Sequence, residues 1–399
     1  MITTDVKTRR SFTEFVVLVS LLMAITALSI DAMLPALPQI GSDLLVQDAN
    51  DRQLVISMIF FGLAFGQLFF GPLSDSVGRK PAIYAGLALY MAGALTCMLA
   101  ANFPMMLIGR LLQGIGASAP RAVSLALVRD QFSGRQMARV MSFVMTVFIL
   151  IPMLAPSMGQ AILSFSNWRM IFGSFLLLAS IALTWFALRQ PETLAPDKRA
   201  PFTIQRIIQA IQEILKNRLA LGYTVTAGFV SGAFIGYLNS AQQIFQEQYD
   251  LGALFPVYFG VIASSIGLAS LSNSHLVMRL GMRFLVKNAL IIIFVLSTAT
   301  FILVTLTGQL PLWGFMVYLM LSFFCIGVLF GNMNSLAMEP LGQVAGIGAA
   351  VVGALSTLIS VLLGTFIGQS YNDTILPLVM GLAVLTGLSI VVVRWAEAG

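Results

Sequence analysis

Gly71-Pro-Leu-Ser-Asp-Ser-Val-Gly-Arg-Lys80 interrupts two long apolar runs, and its reading decides the fold. Asp75, Arg79 and Lys80 cannot sit cheaply in hydrocarbon. Gly71, Pro72 and Gly78 are residues with which a chain stops, turns and restarts a helix. The ten residues are therefore predicted to form a tight polar turn between membrane helices. Their basic end places that turn on the cytoplasmic side, where loop Lys and Arg accumulate.

Composition supports a membrane protein. Of 399 residues 58% are hydrophobic and only 10% charged, against roughly 25% charged in soluble domains. The net charge of +6 lies in loops on one side, with no basic block interleaved with aromatics, so the sequence gives no support to a nucleic-acid partner. The partners it implies are the lipid bilayer and a small-molecule substrate. Cys97 and Cys325 each lie inside an apolar run and read as packing residues.

Apolar runs bounded by charge or turn residues fall at 15–36, 53–73, 81–101, 104–128, 138–163 and 168–188, then at 220–243, 255–275, 285–307, 311–337, 343–368 and 374–395. Twelve spans put both termini on one side. That side then receives Lys7, Arg9, Arg10, Arg79, Lys80, Arg129, Arg135, Arg139 and the basic residues of the middle linker, leaving Arg52 and Arg169 opposite. The asymmetry predicts cytoplasmic termini. The expected organisation is a tail at 1–14, a six-helix bundle at 15–189, a linker at 190–219 and a second bundle at 220–399. Within the linker, Ile204, Ile207, Ile208, Ile211, Ile214 and Leu215 recur at helical spacing and predict a helix in the membrane interface. Gly281-Met-Arg283 echoes Gly78-Arg-Lys80 at the corresponding place in the second half, as a duplicated six-helix unit would leave it.

Ionisable residues within spans are the sharpest functional clue, because each costs roughly 2.5 to 3.5 kcal/mol at a helix centre. Asp31 and Arg110 are expected at a shared depth, as a proton-coupling pair or as a purely structural ion pair. Arg110, Gly114, Ala117 and Arg121 follow i, i+4, i+7 and i+11, a stripe expected to face an aqueous cavity, unless Arg121 snorkels to the headgroups. Gln113 lies beside that stripe. Asn239, Gln242, Gln243 and Gln246 share one face and are expected either to receive a polar substrate or to bond a neighbouring helix. Asn332 is a further cavity candidate, and His275 reads as interfacial. Phosphate-cradling, metal-ligand and nucleophile constellations are not apparent, which points away from an enzyme and from any cofactor other than the proton as coupling ion.

The opening stretch resembles the signature loop between helices 2 and 3 of the major facilitator superfamily. Gly109-Arg-Leu-Leu-Gln-Gly-Ile-Gly-Ala117 resembles its fourth-helix motif, and Ala155-Pro-Ser-Met-Gly159 the fifth-helix motif of its antiporters. Ser29-Ile-Asp-Ala-Met-Leu-Pro-Ala-Leu-Pro38, Val128-Arg-Asp130 and Ala337-Met-Glu-Pro340 are similar to the bicyclomycin-resistance (Bcr/CflA) type of drug:proton antiporter. The resemblance implies an all-α fold of twelve transmembrane helices in two six-helix bundles around a cavity that opens alternately to either side. It implies a monomer in a bacterial inner membrane that exports small molecules against proton flow; export or symport of a specific metabolite or siderophore, and less readily a receptor, stay open. Gating falls to Gly71, Asp75, Gly78, Arg79, Lys80, Arg129, Ala155, Pro156 and Gly159, with Asp75 as an inter-helix latch. Ser76, Gln160 and Arg121 depart from the family pattern. A cavity with Arg121 and few acids suits a neutral or anionic substrate.

Overall fold

The computed structural model describes residues 11–398; Lys7, Arg9 and Arg10 lie outside them. Twelve helices are long and apolar enough to cross a membrane: α1 (Phe12–Asp43), α2 (Ala49–Val77), α3 (Arg79–Met98), α4 (Phe103–Gln131), α5 (Gly134–Phe165), α6 (Arg169–Arg189), α7 (Arg218–Gln248), α8 (Gly252–Leu280), α9 (Met282–Thr307), α10 (Leu312–Gly342), α11 (Gly346–Gln369) and α12 (Leu376–Glu397). Backbone groups in hydrocarbon must be satisfied within the segment, and helices do this. The expected all-α fold is therefore observed.

Packing divides the helices into two sets of six. In the first, α4 lies between α2 and α3, and α1 rests on α4, α5 and α6. In the second, α7 packs on α10, α11 and α12, while α9 meets α10 and α12. The halves touch chiefly along α2 with α11 and α5 with α8. The side bearing the linker and the described chain ends is here the terminal side, and the opposite one the distal side.

The opening stretch is tighter than expected. Helix α2 runs on through Gly71 and Pro72 to Val77, and the turn is a single residue, Gly78, at φ +109°. The Ser74 hydroxyl donates to the Gly71 carbonyl at 2.8 Å inside that last stretch. Gly281 makes the matching one-residue turn between α8 and α9 at φ +78°. Both positions require the conformation that glycine reaches without a Cβ clash.

The linker helix spans Ile204–Lys216 and docks through Ile207, Ala210 and Ile214 on α7 and α11. Its apolar face is wider than that contact, and Ile204, Ile208 and Leu215 stay exposed.

Close approach of helices rests on small residues. A Cβ on Gly114 would stand 2.1 Å from the Ile59 carbonyl oxygen, and one on Gly159 2.0 Å from that of Ala32. Gly159 therefore supplies the α5–α1 contact despite Gln160 beside it. Gly114→Val is expected to force α2 and α4 apart and lower stability by at least about 1 to 3 kcal/mol. Thermal unfolding of the detergent-purified variant checks this, and an unchanged midpoint would show that the contact is not limiting.

Candidate functional site

The distal side is closed by amides. Asn50 donates to the carbonyls of Gln369 (3.1 Å) and Tyr371 (2.9 Å), Gln369 donates back to the Asn50 carbonyl (2.9 Å), and Gln243 donates to Asn50 Oδ1 (2.8 Å). Gln53 donates to Gln243. Deeper, Asn239 donates to Ser57 Oγ at 3.0 Å and to the Gly364 carbonyl at 3.2 Å, and Thr365 donates to Ser57 at 2.8 Å. Arg52 and Glu247 add a salt bridge of 3.1 Å at the rim. These bonds join α2 to α7 and α11 across the two halves.

The expected amide face on α7 is thus real, but in this conformation it serves helix contact and closure. Asn239 and Gln243 bridge the halves, whereas Gln242 donates to Gln246 (3.1 Å) and Glu247 (3.2 Å), and Gln246 to the Gly252 carbonyl (3.2 Å). Their partners Asn50, Gln53 and Ser57 escaped the sequence reading. Only their position at the start of an otherwise apolar span could have signalled them.

Below this zipper lies Asp31, 5% exposed. It is the one buried carboxylate among the described residues. The expected pairing with Arg110 is not formed. Asp31 instead lies within electrostatic range of Tyr237 on α7, whose buried hydroxyl has no hydrogen-bond partner. Tyr237 is stacked on Phe259 and edge-on to Phe323, which fixes its ring.

Arg110 is sealed inside the first half. Its Nε donates to the Val55 carbonyl at 2.8 Å, its Nη1 to Gln113 Oε1 at 2.7 Å, and the guanidinium lies over Phe172. Ser29 and Tyr90 share a 2.6 Å hydrogen bond beside this group. Arg110, Gln113 and Ala117 are fully buried and Gly114 abuts the Ile59 backbone, so this part of the stripe packs on neighbouring helices and lines no cavity. Spacing identified a common face; it could not say that α2 covers it. Arg121, farther along the same face, is half-buried.

Asn332 also turns inward, donating to Asn273 Oδ1 (2.8 Å) and the Val328 carbonyl (2.9 Å) within the second half. It is a helix contact, not a cavity residue. His275 is exposed, as expected of an interfacial residue.

On the terminal side, Arg79 is the hub. It donates to Ser74 Oγ (2.9 Å), to Asp130 (2.9 Å) and to Asp75. The Asp75 carbonyl accepts from Ala200 of the linker at 2.9 Å. Glu192 accepts the backbone N–H groups of Arg79 and Lys80 at 2.9 and 3.0 Å, capping the open start of α3 from the linker. Lys80 Nζ reaches the Ala187 carbonyl at 3.2 Å. Burial works against the Glu192 charge, but donations from Leu194, Lys80, Arg79 and Thr193 outweigh it and hold the carboxyl below its ordinary range.

The expected latch is therefore confined here to the first half. A cavity of about 330 Å³, lined by Asp75, Arg79, Lys198, Arg206, Gly346 and Ile347 among others, separates Asp75 from the start of α11. Gly71 still approaches α11, where a Cβ would lie 3.3 Å from Ala350. Arg129 is exposed, and its neighbour Asp130 is the residue that enters the network, with Thr193 donating to it at 2.9 Å. Ala155 is buried and Pro156 lies inside α5, where Gly159 meets α1. The halves are joined distally, and a cleft lined largely by the linker lies on the terminal side.

This is the architecture of a two-bundle secondary transporter. The chain belongs to the Major Facilitator Superfamily, whose family model matches residues 19–365. It is 32% identical over 361 residues to an uncharacterized MFS-type transporter, YdgK, of Bacillus subtilis, covering 90% of this chain and 88% of that protein. It is 29% identical to a bicyclomycin resistance protein homolog of Haemophilus influenzae, covering 94% of each. Among solved structures, the human organic anion transporter MFSD10 superposes with a TM-score of 0.71 at 18% identity, covering 98% of this chain and 100% of that one. A partially occluded inward-open form of the xylose transporter XylE from E. coli gives 0.70 at 15% identity, covering 95% and 96%. The sequence resemblance to the bicyclomycin-resistance type agrees with these relatives.

Asn50→Ala removes the side chain that meets Gln369, Tyr371 and Gln243 together. At about 0.5 to 1.5 kcal/mol per hydrogen bond, labelling of Ser57→Cys by a hydrophilic maleimide is expected to accelerate by at least ~5-fold in the double variant. An unchanged rate would show that the amides do not hold this face.

Glu192→Ala should free the linker, read as a fall in fluorescence anisotropy of a dye on Asp197→Cys. Because the folded Glu192 value is depressed, its contribution is complete at neutral pH. It fades only as pH falls through that value, below about 4.3, so acid should reproduce the fall in the protein with Glu192 intact. Unaltered anisotropy in Glu192→Ala would assign docking to other contacts.

Proposed function

We propose that the chain exports small molecules in exchange for protons, with Asp31 carrying the proton and the terminal side in the cytoplasm of a bacterial cell. The membrane is then the inner one, and the functional unit a monomer. The observation that carries this reading is the placement of Asp31: a lone buried carboxylate, without a cation partner, at the seam between the halves.

The charge state of such a group depends on whether its surroundings are wet or dry. Opening the distal zipper admits water and a proton from outside. Closing it and opening the terminal side brings the protonated group toward substrate and cytoplasm, where the proton leaves as substrate binds. Each proton moving inward contributes about 2.3 kcal/mol per 100 mV.

Arg110 acts as a positioning residue in this scheme. Through Gln113 it sits against Tyr90, which holds Ser29 on α1 two residues from Asp31. The basic linker and loops support cytoplasmic termini by the positive-inside rule, and the names of the relatives, bicyclomycin and multidrug resistance, support drug-like substrates.

Asp31→Asn reconstituted in proteoliposomes should lose substrate movement driven by an imposed pH gradient by at least ~10-fold, while Asp31→Glu keeps part of it. Gradient-driven transport at the original rate in Asp31→Asn would remove Asp31 from the coupling step.

A further inference from the structure

We infer that Arg121 is an anion-recognising group in the transport path, and that preferred substrates carry a carboxylate, sulfonate or phosphonate that pairs with it. The inference rests on the transporter reading above and adds the substrate class.

Arg121 stands ten residues before the end of α4 at Gln131, roughly 15 Å along the helix axis at 1.5 Å per residue. The direction it faces excludes lipid. It shares a helix face with Arg110 and Gly114, and those two abut the Val55 and Ile59 backbones of α2, so this face points into the protein. Where α2 covers it the face is fully buried; at Arg121 and Leu125 it becomes half-buried, with Ser124 beside them buried.

Arg121 makes no salt bridge and no side-chain hydrogen bond among the described residues. The acids on the terminal side of the first half are used elsewhere, Asp75 and Asp130 by Arg79 and Glu14 by Arg189, and Asp31 lies nearer the distal side. Glu192 caps α3. A cation held at this depth without a counter-ion is a site for one.

Two buried hydroxyls lie at a similar level. Thr26 on α1 donates to the Ala117 carbonyl on α4 at 3.2 Å, which sets the antiparallel register of these helices. By that register Ser20 and Ser124 lie level with each other, within a turn of Arg121. Both are buried, and neither hydroxyl has a hydrogen-bond partner. An unpaired guanidinium is a donor suited to an oxyanion, and these are the unpaired hydroxyls at its level. The same register sets Asp31 level with residue 112, nine residues and roughly 14 Å from Arg121 along the axis. Proton and anion therefore occupy different places.

The test compares three probes on one scaffold, pyrenebutyrate, its methyl ester and the corresponding trimethylammonium cation, by fluorescence titration of detergent-purified protein. The protein is expected to bind the acid at least ~10-fold more tightly than the ester, and the cation most weakly. Arg121→Gln should abolish the preference for the acid while leaving ester affinity within about twofold, and Arg121→Lys should retain part of it. Equal affinity for acid and ester in the unaltered protein, or a preference that survives in Arg121→Gln, would overturn the inference. The first comparison needs no variant, so a poorly folding mutant does not shield it. Gradient-driven ester transport in Arg121→Gln reads proton coupling separately: its persistence leaves the Asp31 reading standing whatever the binding result, and its absence in the unaltered protein removes that reading.

Discussion

The terminal side of the first half depends on the guanidinium of Arg79. With its side chain 7% exposed, it is tolerated there because Ser74, Asp75 and Asp130 accept from it, and a buried charge that loses such partners destabilises by about 3 to 5 kcal/mol. Those bonds tie the end of α2, the start of α3 and the end of α4 to one point. Glu192 and the Asp75 carbonyl then bring the linker onto the same point. The second half repeats the plan: Gly281 turns, and Arg283 reaches Glu339 at the end of α10 (3.5 Å) and Glu397 at the end of α12 (4.0 Å). Arg283 is 54% exposed, however, and exposed pairs contribute about 0 to 1 kcal/mol. One joint is firm and the other loose.

What the sequence disclosed follows from the same physics. Twelve apolar runs are imposed by the bilayer itself, so the helices could be read directly. Gly78 and Gly281 were legible because a turn with positive φ selects glycine. Asp31 stood out because a carboxylate in a span is expensive. Its partner could not be found, since equal depth does not establish facing directions: Ser29 turns toward Tyr90 while Asp31, two residues on, comes within range of Tyr237. Arg110 to Ala117 formed a true stripe, but a helical period says nothing about whether the opposing surface is water or another backbone. Glu192 carried only a weak signal, an acid in a basic linker, because its role depends on where the start of α3 comes to rest.

The distal closure is built almost wholly from neutral groups. Amide and hydroxyl bonds exchange with water at small net cost, so the face can be firm as an ensemble and still open. An equivalent number of buried ion pairs would carry a desolvation penalty in one state and leave bare charges in the other. The single salt bridge, Arg52 with Glu247, sits at the rim, with side chains 14% and 39% exposed. Charge is thereby kept away from the moving seam, and Asp31 is the exception beneath it.

That exception acquires meaning beside Arg110 and Arg121 of α4. Arg110 is enclosed by Val55, Gln113 and Phe172, all within its own half, so rocking one half against the other leaves its surroundings unaltered. A group whose surroundings do not alter cannot register a change of access. Asp31 differs because it lies within electrostatic range of Tyr237, which belongs to the other half. Arg121 differs because it is half-buried and makes no ion pair among the described residues. The two ionisable groups exposed to conformational change are thus of opposite sign and at different depths, while the third, the most deeply buried, supplies rigidity to the helix that carries one and to the helix that carries the other.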